Sequence, residues 1–228
     1  MNIQNQNYNY NINFSARNKE IRVADKIMRK AINAYPAFST SRATYYSSVQ
    51  KCPSLINKIS LLNRYLHSKR ITYQMADNDL LHQVLLGTAD IKVANCIEMA
   101  RIQQAAFLAN GYKDVQIVGL DKKVKITKNN KVKEKISDRV DHALLLINGV
   151  NRNKKPIVVD SWLGFVDYLD SALTRYDGIF MRGLRNISNG DETTKQRFTL
   201  RVYNEKMKLN DNLRNDLINN HPELIINK

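Results

Sequence analysis

The chain has 228 residues, of which 43% are hydrophobic and 25% are charged, and this is enough to build one domain around a hydrophobic core. It carries 36 Lys and Arg against 21 Asp and Glu. The formal net charge of +15 predicts attraction to acidic partners, although a Lys- and Asn-rich genome gives the same excess. Two cysteines exclude a disulfide framework, and we find neither a Cys/His cluster typical of zinc sites nor a glycine-rich phosphate loop, so we expect a reducing compartment and no cofactor.

Residues 1–18 are rich in Asn and Gln, low in charge and without helical periodicity, which predicts a disordered leader. This stretch lacks the basic and apolar regions of a secretory signal. No run in the chain approaches the roughly 20 apolar residues that a membrane span requires. We therefore expect no transmembrane segment and no export by the general secretory route.

Three helices are expected in the segment 19–90. Apolar residues at helical spacing, with charged residues between them, predict an amphipathic helix from Lys19 to Ala34. Pro53 is well placed to begin a second helix. A third spans Asp77 to Leu86, and Gly87 is expected to stop it.

The next segment, VANCIEMARIQQAAFLANGY, predicts a central helix that begins at a cysteine. Asn95 is a favoured N-cap residue and Glu98 completes a capping box, so Cys96 becomes the first helical residue. Apolar residues on most of its surface predict burial, and Asn110-Gly111 ends the helix. The positive end of the helix dipole favours a reactive thiolate at Cys96; the alternative is a small apolar residue in a core.

A projecting hairpin is expected after this helix. A strand over Val115–Leu120 is followed by Lys122–Lys128 and Lys131–Ile136, two alternating runs around an Asn129-Asn130 turn. The lysines of these runs either form a solvated edge that resists aggregation or dock an acidic partner. The docking candidates are Lys122, Lys123, Lys125, Lys131 and Lys133.

A second hairpin is predicted by DHALLLINGVNRNKKPIVVDSWLG, in which Ala143–Ile147 and Ile157–Val159 are apolar strands around a polar connection. His142 enters the first strand and Asp160 leaves the second. Antiparallel pairing brings those two ends together, so the imidazole and the carboxylate fall within hydrogen-bond reach. They form the base and orienting pair that a thiol nucleophile needs, with His82 as a weaker rival for the base.

Three residues near this hairpin have two interpretations each. Asp138 and Asp141 are interpreted as turn and charge-balancing residues rather than as further catalytic acids. Trp162, the only tryptophan, either walls an active site or anchors the core.

The C-terminal part is expected to contain a helix over Val166–Tyr176, a loop over Gly178–Glu192, a strand over Phe198–Val202 and a helix over Leu209–Asn219. The pattern predicts one α+β domain, 19–228, with a helical N-terminal subdomain. We divide it into a helical subdomain, a catalytic core and a C-terminal helical segment, at 19–90, 91–205 and 206–228.

At three short motifs the chain resembles the bacterial members of the papain-like and transglutaminase-like cysteine enzyme superfamily. These motifs are NC-x-E-M-A opening a long helix, DHA on a strand and VVD-x-W on the next strand. The likeness covers about Val93 to Gly164, under a third of the chain. It extends to the type III and type IV secreted effectors of the superfamily, which include proteases, glutamine deamidases and transglutaminases.

The resemblance implies a core in which the cysteine helix packs on an antiparallel sheet. Carried over residue by residue, it makes Cys96 the nucleophile, His142 the general base and then acid, and Asp160 the group that fixes the imidazole tautomer. It also implies a host protein as substrate and delivery into the host cytosol by a specialised bacterial secretion system; without such a system we expect a cytoplasmic protein.

The chain departs from the papain pattern at the oxyanion site. No glutamine upstream of Cys96 matches clearly, and Gln83 and Asn78 are only candidates. The backbone N–H groups of Cys96 and its neighbour could supply part of the site. Asn95 and Trp162 are further candidates for an oxyanion site or pocket.

Two functions of different classes follow. The first is a cysteine-dependent acyl-transfer enzyme that acts on a protein. The second is a non-enzymatic basic module that binds nucleic acid or an acidic protein, with Cys96 in the core. Aromatic residues are not interleaved with Lys and Arg, and helix-turn-helix and zinc-finger signatures are missing, so nucleic acid is the less favoured partner.

Overall fold

The computed structural model describes residues 19–36, 38–39, 61, 77–91, 93–128, 131–149, 153–180, 192–202 and 208–226. Four sequence expectations lie wholly or mostly outside this part of the chain: the leader 1–18, the helix beginning at Pro53, of which only Leu61 is described, the Asn129-Asn130 turn, and the loop over Gly178–Glu192, of which residues 181–191 are not described. Among the described residues, no helix combines the length and apolar character needed to cross a membrane.

The described elements comprise helices and a mainly antiparallel set of strands. The helices are α1 (Lys19–Ala34), α2 (Asp77–Ile91), α3 (Cys96–Ala109), α4 (Leu169–Phe180), α5 (Asp211–Asn220) and a short 3-10 helix (Pro222–Leu224). The strands are β1 (Phe38–Ser39), β2 (Val93–Ala94), β3 (Val115–Lys128), β4 (Lys131–Ile147), β5 (Ile157–Asp160), β6 (Phe165–Tyr168) and β7 (Glu192–Val202).

Five strands form one antiparallel sheet in the order β6-β5-β4-β3-β7, and β1 and β2 form a separate short parallel pair. The long β3–β4 hairpin lies in the middle, and β7 runs antiparallel along β3 from Val202 to Glu192. The expected α+β class is confirmed by this arrangement of helices and sheet.

The sheet separates two helix layers because successive residues of each strand point to opposite faces. On one face, Val115 and Ile117 of β3 join the core formed with α1 and α3. On the other face, Val118 and Leu120 join a smaller core that includes Tyr176 of α4. The layer that contains α1 and α3 has the larger core. In this layer α3 packs against β3 and β4 in the middle of the sheet.

The helix expected to stop at Gly87 continues to Ile91, so that prediction is wrong. Gly87 is buried inside α2, which packs against α3. A glycine costs a helix interior only about 1 kcal/mol relative to alanine, and tertiary packing outweighs that preference. Glycine ends a helix where the chain needs a positive φ, as it does at Gly111 (φ 81°) after α3.

The turn expected around Asp138 and Asp141 is also wrong, because both residues lie within β4. β3 is continuous from Val115 to Lys128 and pairs with β4 on both sides of Asp141, which outweighs the turn preference of aspartate. The charge-balancing part of the interpretation agrees with the register, in which Asp138 lies opposite Lys122.

The C-terminal expectations need smaller corrections. Val166 belongs to β6 rather than to a helix, because Gly164 (φ 79°) allows a tight turn that pairs Phe165 with Asp160. Gly178 is helical, since α4 continues to Phe180. β7 begins six residues before Phe198, and α5 begins after the N-cap residue Asn210, whose Oδ1 accepts from the Leu213 N–H at 2.8 Å.

Candidate active site

The first turn of α3 fixes the position of the cysteine. Asn95 Oδ1 accepts from the N–H groups of Ile97 (3.1 Å) and Glu98 (3.3 Å), and the Asn95 N–H donates to Glu98 Oε2 (3.3 Å). Glu98 is only 1% exposed, so this capping box is held inside the protein. The expected boundaries of the helix are confirmed: Cys96 is its first residue and is half-buried.

His142 is placed by an irregularity in the β3–β4 ladder. Gly119 lies opposite Ala143, but the next residue of β3, Leu120, lies opposite Val140. Asp141 and His142 are therefore extra residues on β4. Such a bulge re-aims side chains that regular pairing would hold within one face, and bulges of this kind are common beside active sites.

Asp160 is placed by the β5–β6 turn. It is the last residue of β5, and its backbone oxygen accepts from the Gly164 N–H at 2.7 Å. Within the same turn the Leu163 N–H donates to Asp160 Oδ1 at 2.9 Å. The carboxylate is therefore oriented by backbone groups of its own turn, independently of its side-chain partners.

These two placements bring the acid and the base together. His142 Nε2 and Asp160 Oδ2 are 2.6 Å apart, and the two side chains are 1% and 0% exposed. The expected hydrogen-bond distance between the imidazole and the carboxylate is confirmed. A buried charge must be hydrogen-bonded to be tolerated, and the carboxylate meets this requirement with both oxygens.

Tyr176 is a third partner of this carboxylate, and sequence analysis missed it. Its hydroxyl donates to Asp160 Oδ2 at 2.6 Å from the far side, α4. Burial and the adjacent Asp160 raise the pKa of Tyr176 well above its usual value, so the phenol remains a donor. The sequence placed Tyr176 only at the end of the expected helix Val166–Tyr176, and no local signal tells which acceptor a buried hydroxyl will find.

Cys96 completes the chain of contacts. Its side chain is close enough to the imidazole to raise the pKa of His142, and since Asp160 engages Nε2, Nδ1 is the ring nitrogen left for the sulfur. Burial disfavours the charged imidazolium, but the Asp160 carboxylate and the Cys96 side chain outweigh burial and raise the pKa of His142 to about 9. Cys96, His142, Asp160 and Tyr176 thus form one connected series.

Trp162 lies against this series. It belongs to the β5–β6 turn, is half-buried, and its ring centroid is 4.8 Å from that of His142 at an interplanar angle of 43°. Of its two interpretations, the structure therefore supports a wall beside the imidazole. A flat aromatic surface at this position shields the His142–Asp160 hydrogen bond from water, which strengthens it.

The oxyanion candidates are in different situations. The Ile97 N–H is used by the capping box, which leaves the Cys96 N–H as the backbone candidate. Asn95 Oδ1 is also committed to the cap. Gln83 is half-buried on α2, the helix that packs against α3. Asn78 is engaged elsewhere: its amide donates to the Lys208 carbonyl oxygen at 3.1 Å.

His82, the weaker candidate for the base, is half-buried on α2. The contact to Asp160 is made by His142, so the structure brings Cys96 and Asp160 together around His142.

Comparisons of this chain with protein-family models, with curated proteins and with solved structures find no match.

Proposed function

We propose that this chain is a cysteine-dependent acyl-transfer enzyme, with Cys96 as nucleophile, His142 as general acid and base and Asp160 as the group that orients the imidazole. The observation that carries the proposal is the buried His142–Asp160 pair, 2.6 Å apart, beside the half-buried Cys96 thiol at a helix N-terminus that raises the pKa of His142. Such a series is the arrangement by which thiol nucleophiles are activated and their leaving groups protonated.

The first half-reaction forms a thioester. The Cys96 sulfur attacks the carbonyl carbon of an amide, and the carbonyl electron pair moves to the oxygen, where N–H donors stabilise it. When the intermediate collapses, the C–N bond breaks and His142 gives its proton to the departing nitrogen. With a pKa of about 9, His142 is protonated at neutral pH and is a ready donor for this step.

The second half-reaction resolves the thioester. The neutral His142 takes a proton from water as the water oxygen attacks the thioester carbon, and the C–S bond breaks to return Cys96 as the thiolate. If a primary amine replaces water, the product is a new amide. The same series therefore serves hydrolysis, deamidation and transamidation, and the shape of the substrate decides among them.

We favour a glutamine side chain of a folded host protein over a peptide bond. A long basic hairpin lies between nucleophile and base in the sequence, and a projecting charged hairpin suits docking of a folded partner better than threading of a peptide. The packing of the cysteine helix α3 on an antiparallel sheet also supports membership of the papain-like and transglutaminase-like superfamily. Delivery as a secreted effector is part of this proposal.

The proposal is tested by the reactivity of the two cysteines in the folded chain. Cys96 should react with iodoacetamide much faster than Cys52 near neutral pH, and His142→Ala should remove that difference. Cys52 lies outside the described residues and serves as the internal reference. Equal and slow labelling of both cysteines would favour the non-enzymatic basic module.

The reaction is tested by intact-protein mass spectrometry of host lysate treated with the wild type or with Cys96→Ala. A mass gain from amide to acid on an uncut chain, seen only with the wild type, supports deamidation. New fragments that depend on Cys96 would show a protease instead and would contradict the preference for glutamine.

A further inference from the structure

The pairing of β3 with both β4 and β7 separates the charges of the hairpin by face. Residues directly opposite each other on paired strands share a face of the sheet. Lys125 lies opposite Lys135 on one side and Lys195 on the other. Two residues earlier on β3, Lys123 lies opposite Arg197 of β7. We call the face shared by these five residues the basic face: Lys123, Lys125, Lys135, Lys195 and Arg197.

The opposite face of the same strands has balanced charge. Lys122 lies opposite Asp138. Nearer the tip, Lys128 lies opposite Lys131 on one side and Glu192 on the other, and Glu134 is opposite an isoleucine. In its two rows the basic face holds five cationic residues without an acidic one, since the sixth position is Ser137. Like charges directly opposite each other destabilise a sheet, so this face gains most from an anionic partner.

The basic face lies on the same side of the sheet as the cysteine. Alternate residues of β3 share a face, and Lys123 and Lys125 continue the alternation of Val115 and Ile117, which pack in the core with α3. Cys96, at the start of α3, packs against that same core. Lys123 is exposed.

The spacing along the sheet sets the size of the partner. Gly119 lies opposite Ala143, the neighbour of His142. At about 3.3 Å per residue, Lys123 lies roughly 13 Å and Lys125 roughly 20 Å further along β3 from that level. A segment of four to seven extended residues, or a comparable patch on a folded protein, spans this distance.

We infer that the basic face docks an acidic segment of the protein substrate on the α3 side of the sheet and presents the neighbouring acyl group to Cys96. The identity of that segment as substrate rests on the proposed function, whereas its acidic character rests on the strand register alone. The two rows of the face contain Lys, Arg and Ser and no aromatic residue on which bases could stack, so a protein fits the surface better than single-stranded nucleic acid.

The basic face differs from the docking patch expected from the sequence. Lys123 and Lys125 remain in it, whereas Lys122 and Lys131 fall on the opposite face. Lys133 is the extra residue at the second irregularity of the β3–β4 ladder, so the register does not assign it to either face. Lys135, Lys195 and Arg197 replace them.

The test measures binding to the full-length Cys96→Ala chain, which cannot turn over. The probe is a fluorescein-labelled Glu-rich peptide with one central glutamine, followed by fluorescence anisotropy, and an uncharged Ser-rich peptide is its reference. Lys125→Glu combined with Lys195→Glu should weaken binding of the acidic peptide about tenfold or more. The matched control, Lys128→Glu with Lys131→Glu, makes the same change in net charge on the opposite face and should weaken it much less.

Equal losses with both pairs would overturn the inference, because net charge rather than the basic face would then control binding. Tighter binding of a single-stranded oligonucleotide than of the peptide, with the same dependence on Lys125 and Lys195, would overturn it in favour of nucleic acid. Lys125→Gln with Lys195→Gln keeps the test open if the Glu variants fail to fold, and face-dependent loss with this pair supports the inference. Suppose that binding depends on the basic face but that, in the wild type, iodoacetamide labels Cys96 no faster than Cys52. That result would contradict the proposed function while leaving the docking surface supported.

Discussion

Two acid–base pairs on the same sheet behave differently because of their burial. His142 and Asp160 are 1% and 0% exposed, whereas Arg201 and Asp121, which form an ion pair at the root of the hairpin, are each 25% exposed. The buried pair has a pKa consequence, because the Asp160 carboxylate outweighs burial and helps to raise the pKa of His142 to about 9. Water screens the second pair, so its contribution to stability stays small. The less screened pair of the two is therefore the one at the end of the sheet beside Cys96.

The largest effect is expected from removing the thiol of Cys96, which lies beside the buried pair. Cys96→Ala should abolish turnover, because it removes the proposed nucleophile, and should leave the melting temperature within a few degrees, since one half-buried sulfur is a modest packing loss. Turnover and thermal unfolding of the same preparation measure both. Cys52→Ala is the control and should keep its activity. A folded Cys96→Ala chain with full turnover would remove Cys96 from the mechanism.

Breaking the buried pair from either side should give unequal losses. His142→Ala should lower kcat/KM by roughly 10²–10⁴-fold, because it removes the group that we propose moves the proton. Asp160→Asn should cost less, because the role proposed for the carboxylate is to orient the imidazole without moving a proton itself. Steady-state kinetics on both variants compare the two roles. An inactive Asn variant beside an active Ala variant would reverse the assignment.

The buried pair should also make stability depend on pH. The pKa of His142 is about 9 in the folded chain and about 6.5 when unfolded, so between these values the folded state holds a proton that the unfolded state lacks. Its contribution is complete below pH 6.5 and is lost as the pH rises through 9. The loss is on the order of 3 kcal/mol.

Urea unfolding at several pH values from 6 to 10 measures this slope, and His142→Ala is the control that should flatten it. Stability that rises with pH over this window in the wild type, relative to that variant, would contradict the raised pKa.

The smallest effects compare single contacts at the two pairs. Tyr176→Phe removes one donor from a buried carboxylate and should lower the free energy of unfolding by about 1–3 kcal/mol. Arg201→Ala should cost about 1 kcal/mol or less, because both partners are 25% exposed and water screens the pair. Chemical denaturation of both variants makes the comparison. A larger loss from Arg201→Ala would show that burial does not separate the two pairs.

Local chemistry in the sequence determined the parts of this protein that depend on a few neighbouring residues. The amphipathic helix Lys19–Ala34 and the helix Cys96–Ala109 have the expected bounds, because apolar spacing and a capping box act within one or two turns. The approach of His142 to Asp160 followed from a hairpin whose two ends had to meet. These signals were enough to identify the three residues of the candidate site.

Tertiary structure alone decided what depends on partners far away in the sequence. Packing of α2 against α3 carried the helix through Gly87, and pairing with β5 turned Val166 into a strand residue. The bulge that places His142 and the hydroxyl that Tyr176 gives to Asp160 join residues on different elements. The lysines of the hairpin were visible in the sequence, but only the register of β3 with β4 and β7 divides them between two faces, because a face is defined by the residues on neighbouring strands.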